Sequence, residues 1–119
     1  MKKLIATALL AVLPMTANAL EYGKFKTFYA ANPETTGFYL SGVYAGMMIT
    51  NVMAGRRTGE QIFCPPTQLA FTNDQIVNMM DRFVARKKEE SGNDLSATLS
   101  VDGMMIATFI DHFSCRTQQ

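Results

Sequence analysis

Tryptophan is absent from the 119 residues, histidine occurs once, at His112, and cysteine only twice, at Cys64 and Cys115. That is too few soft donors for the full ligand set of a structural or catalytic zinc site. There is no glycine-rich phosphate loop, no zinc motif and no nucleophile elbow. The acidic residues are scattered, and no two stand at a spacing that argues for acid–base work over a solvated face. An excess of one charge is lacking too: 11 Lys+Arg against 10 Asp+Glu give a net +1, which is no footprint for nucleic acid. No stretch alternates at the strand period, and neither a repeat nor a low-complexity tract is present. What remains is an all-α chain of one domain, with no catalytic residues, no cofactor and no metal expected.

The N-terminus, MKKLIATALLAVLPMTANA, has two lysines, an apolar run from Leu4 to Leu13, Pro14, and then Ala17-Asn18-Ala19. This is the pattern of a cleavable secretory signal over 1–19, cut after Ala19, with the working domain at 20–119. The apolar run is too short to span a bilayer, and Leu20 rather than cysteine follows the site, which argues against a lipid anchor. Loss of Lys2 and Lys3 leaves nine Lys+Arg against ten Asp+Glu, a net −1.

Thr35 to Gly55 is a second uncharged stretch, 21 residues long and followed by Arg56-Arg57. It contains Gly42-x-x-x-Gly46, a spacing that lets membrane helices approach closely. Five of the 21 are Thr, Ser or Asn and four are Gly, so the stretch is poor as a lipid-facing helix and reads as one buried in a protein core. No stable membrane insertion is expected.

Asn32-Pro33-Glu34 marks the start of the first expected helix, with proline and an acid in the first turn. Tyr39, Val43 and Met47, flanked by Leu40, Tyr44 and Met48, give it an apolar face. Gly42 and Gly46 form a shallow groove on one side, serving either the core or a dimer seam. Gly55 to Glu60 reads as a loop. Pro65 and Pro66 then impose an extended or first-turn conformation. Thr72 and Gln75 form a capping box ahead of a stripe of Ile76, Val77, Met80, Phe83 and Val84, and Arg86-Lys87-Lys88 suits the C-terminal end of that helix. Ser91-Gly92-Asn93-Asp94 ends it. The last helix is expected from about Ser96 to Phe113, with Leu99, Met105, Phe109 and Phe113 as core positions.

In an oxidising compartment, two cysteines in a small exported domain favour a disulfide. Cys64–Cys115 would tie the Cys-Pro-Pro segment to the end of the last helix. A reactive thiol paired with His112 is the weaker alternative, because no third orienting group is evident. Six methionines occur as the pairs Met47-Met48, Met79-Met80 and Met104-Met105. Thioethers bind Cu(I), but neighbours on a helix point about 100° apart, so pliable core filler is the better reading.

The stretches "GFYLSGVYAGMM", "FCPPTQLAFTNDQIVNMMDRFV" and "HFSC" together resemble the Tai or Rap-type periplasmic immunity proteins of type VI secretion amidase systems. The resemblance rests on Gly42, Tyr44, Gly46, Phe63-Cys64, Pro66, Thr72, Gln75, Phe113 and Cys115. It covers roughly residues 37 to 115, with Ser114 where that family often has proline. It implies a periplasmic protein, often a homodimer, that blocks a peptidoglycan amidase by covering its cleft. The contact surface then expected is the inter-helix loop Arg86, Lys87, Lys88, Glu89, Glu90, Ser91, Gly92, Asn93 and Asp94, with Arg56-Arg57 as second candidate. The alternatives are an acid-stress chaperone resembling the HdeA family, or another disulfide-closed helical binding module without a toxin partner.

Overall fold

In the computed structural model, which describes residues 20–66 and 70–115, the chain is all-α. The described residues form four α-helices, α1 Tyr22–Ala31, α2 Pro33–Thr58, α3 Asn73–Ser91 and α4 Val101–His112, with a short 3-10 turn at Leu95–Ala97 between α3 and α4. The expected signal segment lies outside the described residues.

Helix α1 was not anticipated. Its aromatic residues Tyr22, Phe25 and Tyr29 stand at helical spacing; the first two are fully buried and the third packs against the core. No side chain caps its start. Its anchorage is tertiary: Tyr22 donates from its hydroxyl to Asp81 Oδ1 of α3 at 2.5 Å, and Lys26 Nζ reaches Oδ2 of the same carboxylate at 2.6 Å. Burial, then the hydrogen bond to Asp81, pushes the Tyr22 phenol far above its ordinary pKa.

Asn32 caps α2 by accepting from the Thr35 amide, with Pro33 in the first turn as expected. The helix does not stop at Gly55. It runs through Arg56 and Arg57 to Thr58, and Gly59, at φ 81°, provides the left-handed C-cap. A lone glycine at position 55 only weakens a helix, whereas the positive φ ends it. Only Gly37, Leu40, Met47 and Asn51 of α2 are buried, so this helix is not enclosed in the core.

The capping box of α3 forms in full: the Gln75 amide donates to Thr72 Oγ1 at 3.2 Å and the Thr72 amide to Gln75 Oε1 at 2.9 Å. Ile76, Val77, Met80 and Phe83 are its buried face. The final helix starts later than expected, because Leu95–Ala97 form the 3-10 turn and the chain at Leu99–Val101 bonds to residues 20–22 instead. The Tyr22 amide donates to Leu99 O and the Val101 amide to Leu20 O, both at 2.9 Å. Ser100 then caps α4.

Cys64 and Cys115 form the expected disulfide, with Cα atoms 4.9 Å apart and a sequence separation of 51. Beneath it lies an aromatic cluster centred on Phe109, whose ring centroid is 5.5 Å from Phe63, 5.6 Å from Phe71 and 5.4 Å from Phe113. Buried Asn51 fastens the Cys64 strap from the other side. Its Nδ2 donates to Phe63 O at 2.9 Å, while Oδ1 accepts from the amides of Ile62 at 2.8 Å and Phe63 at 3.0 Å. Met47, Met80, Met104 and Met105 fill the core, and Met48 and Met79 pack against it.

Candidate functional site

The segment 86–94 is more helical than a loop: Arg86 to Ser91 continue α3, and Gly92, at φ 77°, closes the helix with its amide on Lys88 O. Two of its cations are already engaged. Arg86 Nη2 pairs with Asp111 of α4, Arg86 Nε lies 3.6 Å from Glu90, and Lys87 Nζ lies 3.3 Å from the same carboxylate. Both also stand over the Phe83 ring, at 5.8 and 5.7 Å. The Asp111 hydrogen bond raises the Arg86 pKa further.

Beyond them, residues 88–94 are all exposed, yet the corner they form is fixed. Ser91 Oγ donates to Lys87 O at 2.8 Å and accepts from the Asn93 amide at 3.3 Å. Asp94 Oδ1 accepts from the Ser96 hydroxyl at 2.6 Å and the Ser96 amide at 3.0 Å. These bonds, the hydroxyl's foremost, hold the Asp94 carboxyl below its usual range. Lys88 and Glu89 make no ion pair among the described residues.

Two clefts of about 290 and 340 Å³ run along α3 and share Met79 and Arg82 in their walls, and the second reaches Arg86. Phe71, Gln75 and Asn78 line the first; Phe83, Asp111 and His112 help line the second. Arg82 is exposed and has no acidic partner among the described residues. Sequence reasoning missed this groove, because Arg82 looks like any solvated helix cation until Phe71 and α4 close around it. The His112–Cys115 alternative fails, since Cys115 is in the disulfide; the imidazole instead packs edge-on against Phe113 at 4.7 Å.

A third surface is the outer face of α2. Phe38 is 75% exposed and Ile49 64%, and Val52 and Met53 stand out beside them. Gly42 and Gly46 lie on this side: a Cβ at either would meet no atom within 4 Å, so nothing inside the domain requires their smallness. They line a shallow cleft of about 400 Å³ against Asp102, Gly103 and Ile106 of α4. Arg56 and Arg57, in the last turn, have no ion-pair partner among the described residues.

Among the described residues, no three His, Cys, Asp or Glu side chains come together as a metal site, and no helix is long and apolar enough to cross a membrane. No family model, no curated protein and no solved structure matches this chain.

Proposed function

We propose that this protein is a periplasmic immunity protein that binds a type VI secreted peptidoglycan amidase and occludes its catalytic cleft, doing no chemistry of its own. One observation carries the reading: the Lys88–Asp94 corner is wholly exposed yet pinned by its own hydrogen bonds. A projection ordered before binding loses little entropy on entering a cleft, which is what a competitive plug needs. Its charges of both signs offer directional contacts at the mouth of such a site, and the groove along α3 offers a further surface with Met79 and Phe83 beside Arg82 and Arg86. The Cys64–Cys115 disulfide suits an exported domain.

The test is inhibition of peptidoglycan hydrolysis by an amidase encoded beside this gene, with the oxidised protein and with Lys88→Glu and Asn93→Arg variants. Both positions are exposed, so the variants should melt like the parent. The reading expects stoichiometric inhibition by the parent and at least about tenfold weaker inhibition by the variants, as for loss of a contact at an interface centre. Undiminished hydrolysis at saturating parent protein rejects it.

A further inference from the structure

Gln75, Asn78, Met79, Arg82 and Arg86 recur at intervals of three and four residues or their sums, so they share one side of α3. Between them they wall both clefts along the helix. Met79 and Arg82 stand where the two clefts meet; Phe71 lines the first and Phe83 the second. From Gln75 to Arg86 the stripe runs roughly 16 Å, at about 1.5 Å per residue. Extended chain covers that distance in about five residues.

Charge along this stripe is unevenly matched. The carboxylates on or facing it, Asp74, Asp81 and Asp111, are all held. Asp74 accepts from the Tyr29 hydroxyl, Asp81 from Tyr22 and Lys26, and Asp111 from Arg86. Neither Arg82 nor the Asn78 amide has a partner among the described residues. With Arg86 committed to Asp111, the junction of the clefts presents one uncommitted guanidinium between apolar walls. A polyanion is held by many cations at once, whereas a single carboxylate is matched by one planar fork.

We propose that this groove docks an extended, acidic peptide segment of a partner protein. In extended chain, residues i, i+2 and i+4 point to one face. A central Asp or Glu then meets Arg82, and the apolar side chains two positions before and after it enter the clefts. One lies against Phe71 and Met79, the other against Met79 and Phe83. Asn78, whose amide both donates and accepts, lines the first cleft and pairs with the main chain of the segment. The carboxylate supplies the charge that the groove lacks, and the apolar flanks exclude water around the pair, which strengthens it. The 88–94 corner takes no part, so docking here holds or fails independently of amidase inhibition.

Pentapeptides labelled with fluorescein at the N-terminus and amidated at the C-terminus test this by anisotropy against the disulfide-bonded protein. The probes are Leu-Thr-Glu-Thr-Phe and its reverse, Phe-Thr-Glu-Thr-Leu, so that both chain directions are tried. At least one should bind saturably. Replacing its glutamate by lysine, or both of its apolar residues by serine, should weaken binding at least about tenfold. Arg82→Glu changes an exposed position and should melt like the parent. It should lose the glutamate peptide by the same factor and bind the lysine peptide better than the parent does. Equal binding of the serine-flanked peptide would mean charge attraction alone and overturns the proposal. So does undiminished binding by Arg82→Glu, and so does the failure of both probes to saturate at millimolar concentration.

Discussion

Asn51 is the single polar side chain on which the closure of this fold depends most, and replacing it by alanine measures that dependence. It is 1% exposed, and its amide makes three hydrogen bonds to the backbone of Ile62 and Phe63. The next residue, Cys64, donates its amide to Phe113 O at 2.7 Å and carries the disulfide. The strap is thus held from α2 on one side and from the end of α4 on the other. At about 1 kcal/mol net for each bond, with a further cost for buried amides left unpaired, Asn51→Ala should lose about 3–5 kcal/mol. For a domain of this size that lowers Tm by roughly 15–25 °C. Asn51→Asp separates the parts of the effect. A carboxylate keeps both acceptor bonds but loses the donor to Phe63 O and buries a charge. Burial raises the folded-state pKa of such an acid above its unfolded value, so the stabilisation is present in the protonated form and lost as pH rises through the folded pKa. This variant should therefore recover relative to the parent at pH 4 and fall behind at pH 7. Circular dichroism melts of the three proteins at both pH values decide the matter. An alanine variant within 1 kcal/mol of the parent would refute the assignment of Asn51 as the clamp.

Three further outcomes follow from the same framework. Replacing Cys64 and Cys115 together by serine removes a cross-link between positions 51 apart in sequence and should cost about 4 kcal/mol in the chain-entropy account, seen as the same fall in the parent's melt under reducing conditions. Phe109→Ala should cost about 3–5 kcal/mol, read by urea denaturation, because it empties the centre of the aromatic cluster. Asp94 and Asp102 have folded pKa values lowered by the hydroxyls of Ser96 and Ser100 respectively. Their stabilisation is present above the unfolded carboxyl value, about 3.9, and lost as pH falls through the lowered folded values. Acid titration followed by tryptophan-independent far-UV signal should show that loss, and Ser96→Ala should make it shallower.

The sequence makes local features visible and long-range ones invisible. Thr72 and Gln75 are three residues apart and satisfy each other within one turn, so the start of α3 was legible from spacing alone. With two cysteines in the chain, the disulfide had only one pairing to find. Helix α1 escaped notice because it lacks a side-chain cap and depends on Asp81, 59 residues away from Tyr22. The start of α4 was misplaced for a similar reason, since Leu99 and Val101 answer to Tyr22 and Leu20, about 80 residues away. Glycine itself misled at Gly55, where the helix passes straight through, and Gly59 ends it instead. The uncharged run over Thr35–Gly55 suggested burial, but composition cannot say how many sides of a helix are covered. The exposed positions Phe38 and Ile49 could have been found by sorting that run into faces, 11 residues being close to three turns.

The most direct test of the function proposed here is a hydrolysis assay. Purified peptidoglycan, the amidase encoded beside this gene and increasing amounts of the disulfide-bonded protein are combined, and release of cell-wall peptide is followed. The account predicts that cleavage stops at one inhibitor chain for each amidase, with a complex of that stoichiometry in sedimentation. Cleavage that continues at full rate in the presence of excess protein would contradict it.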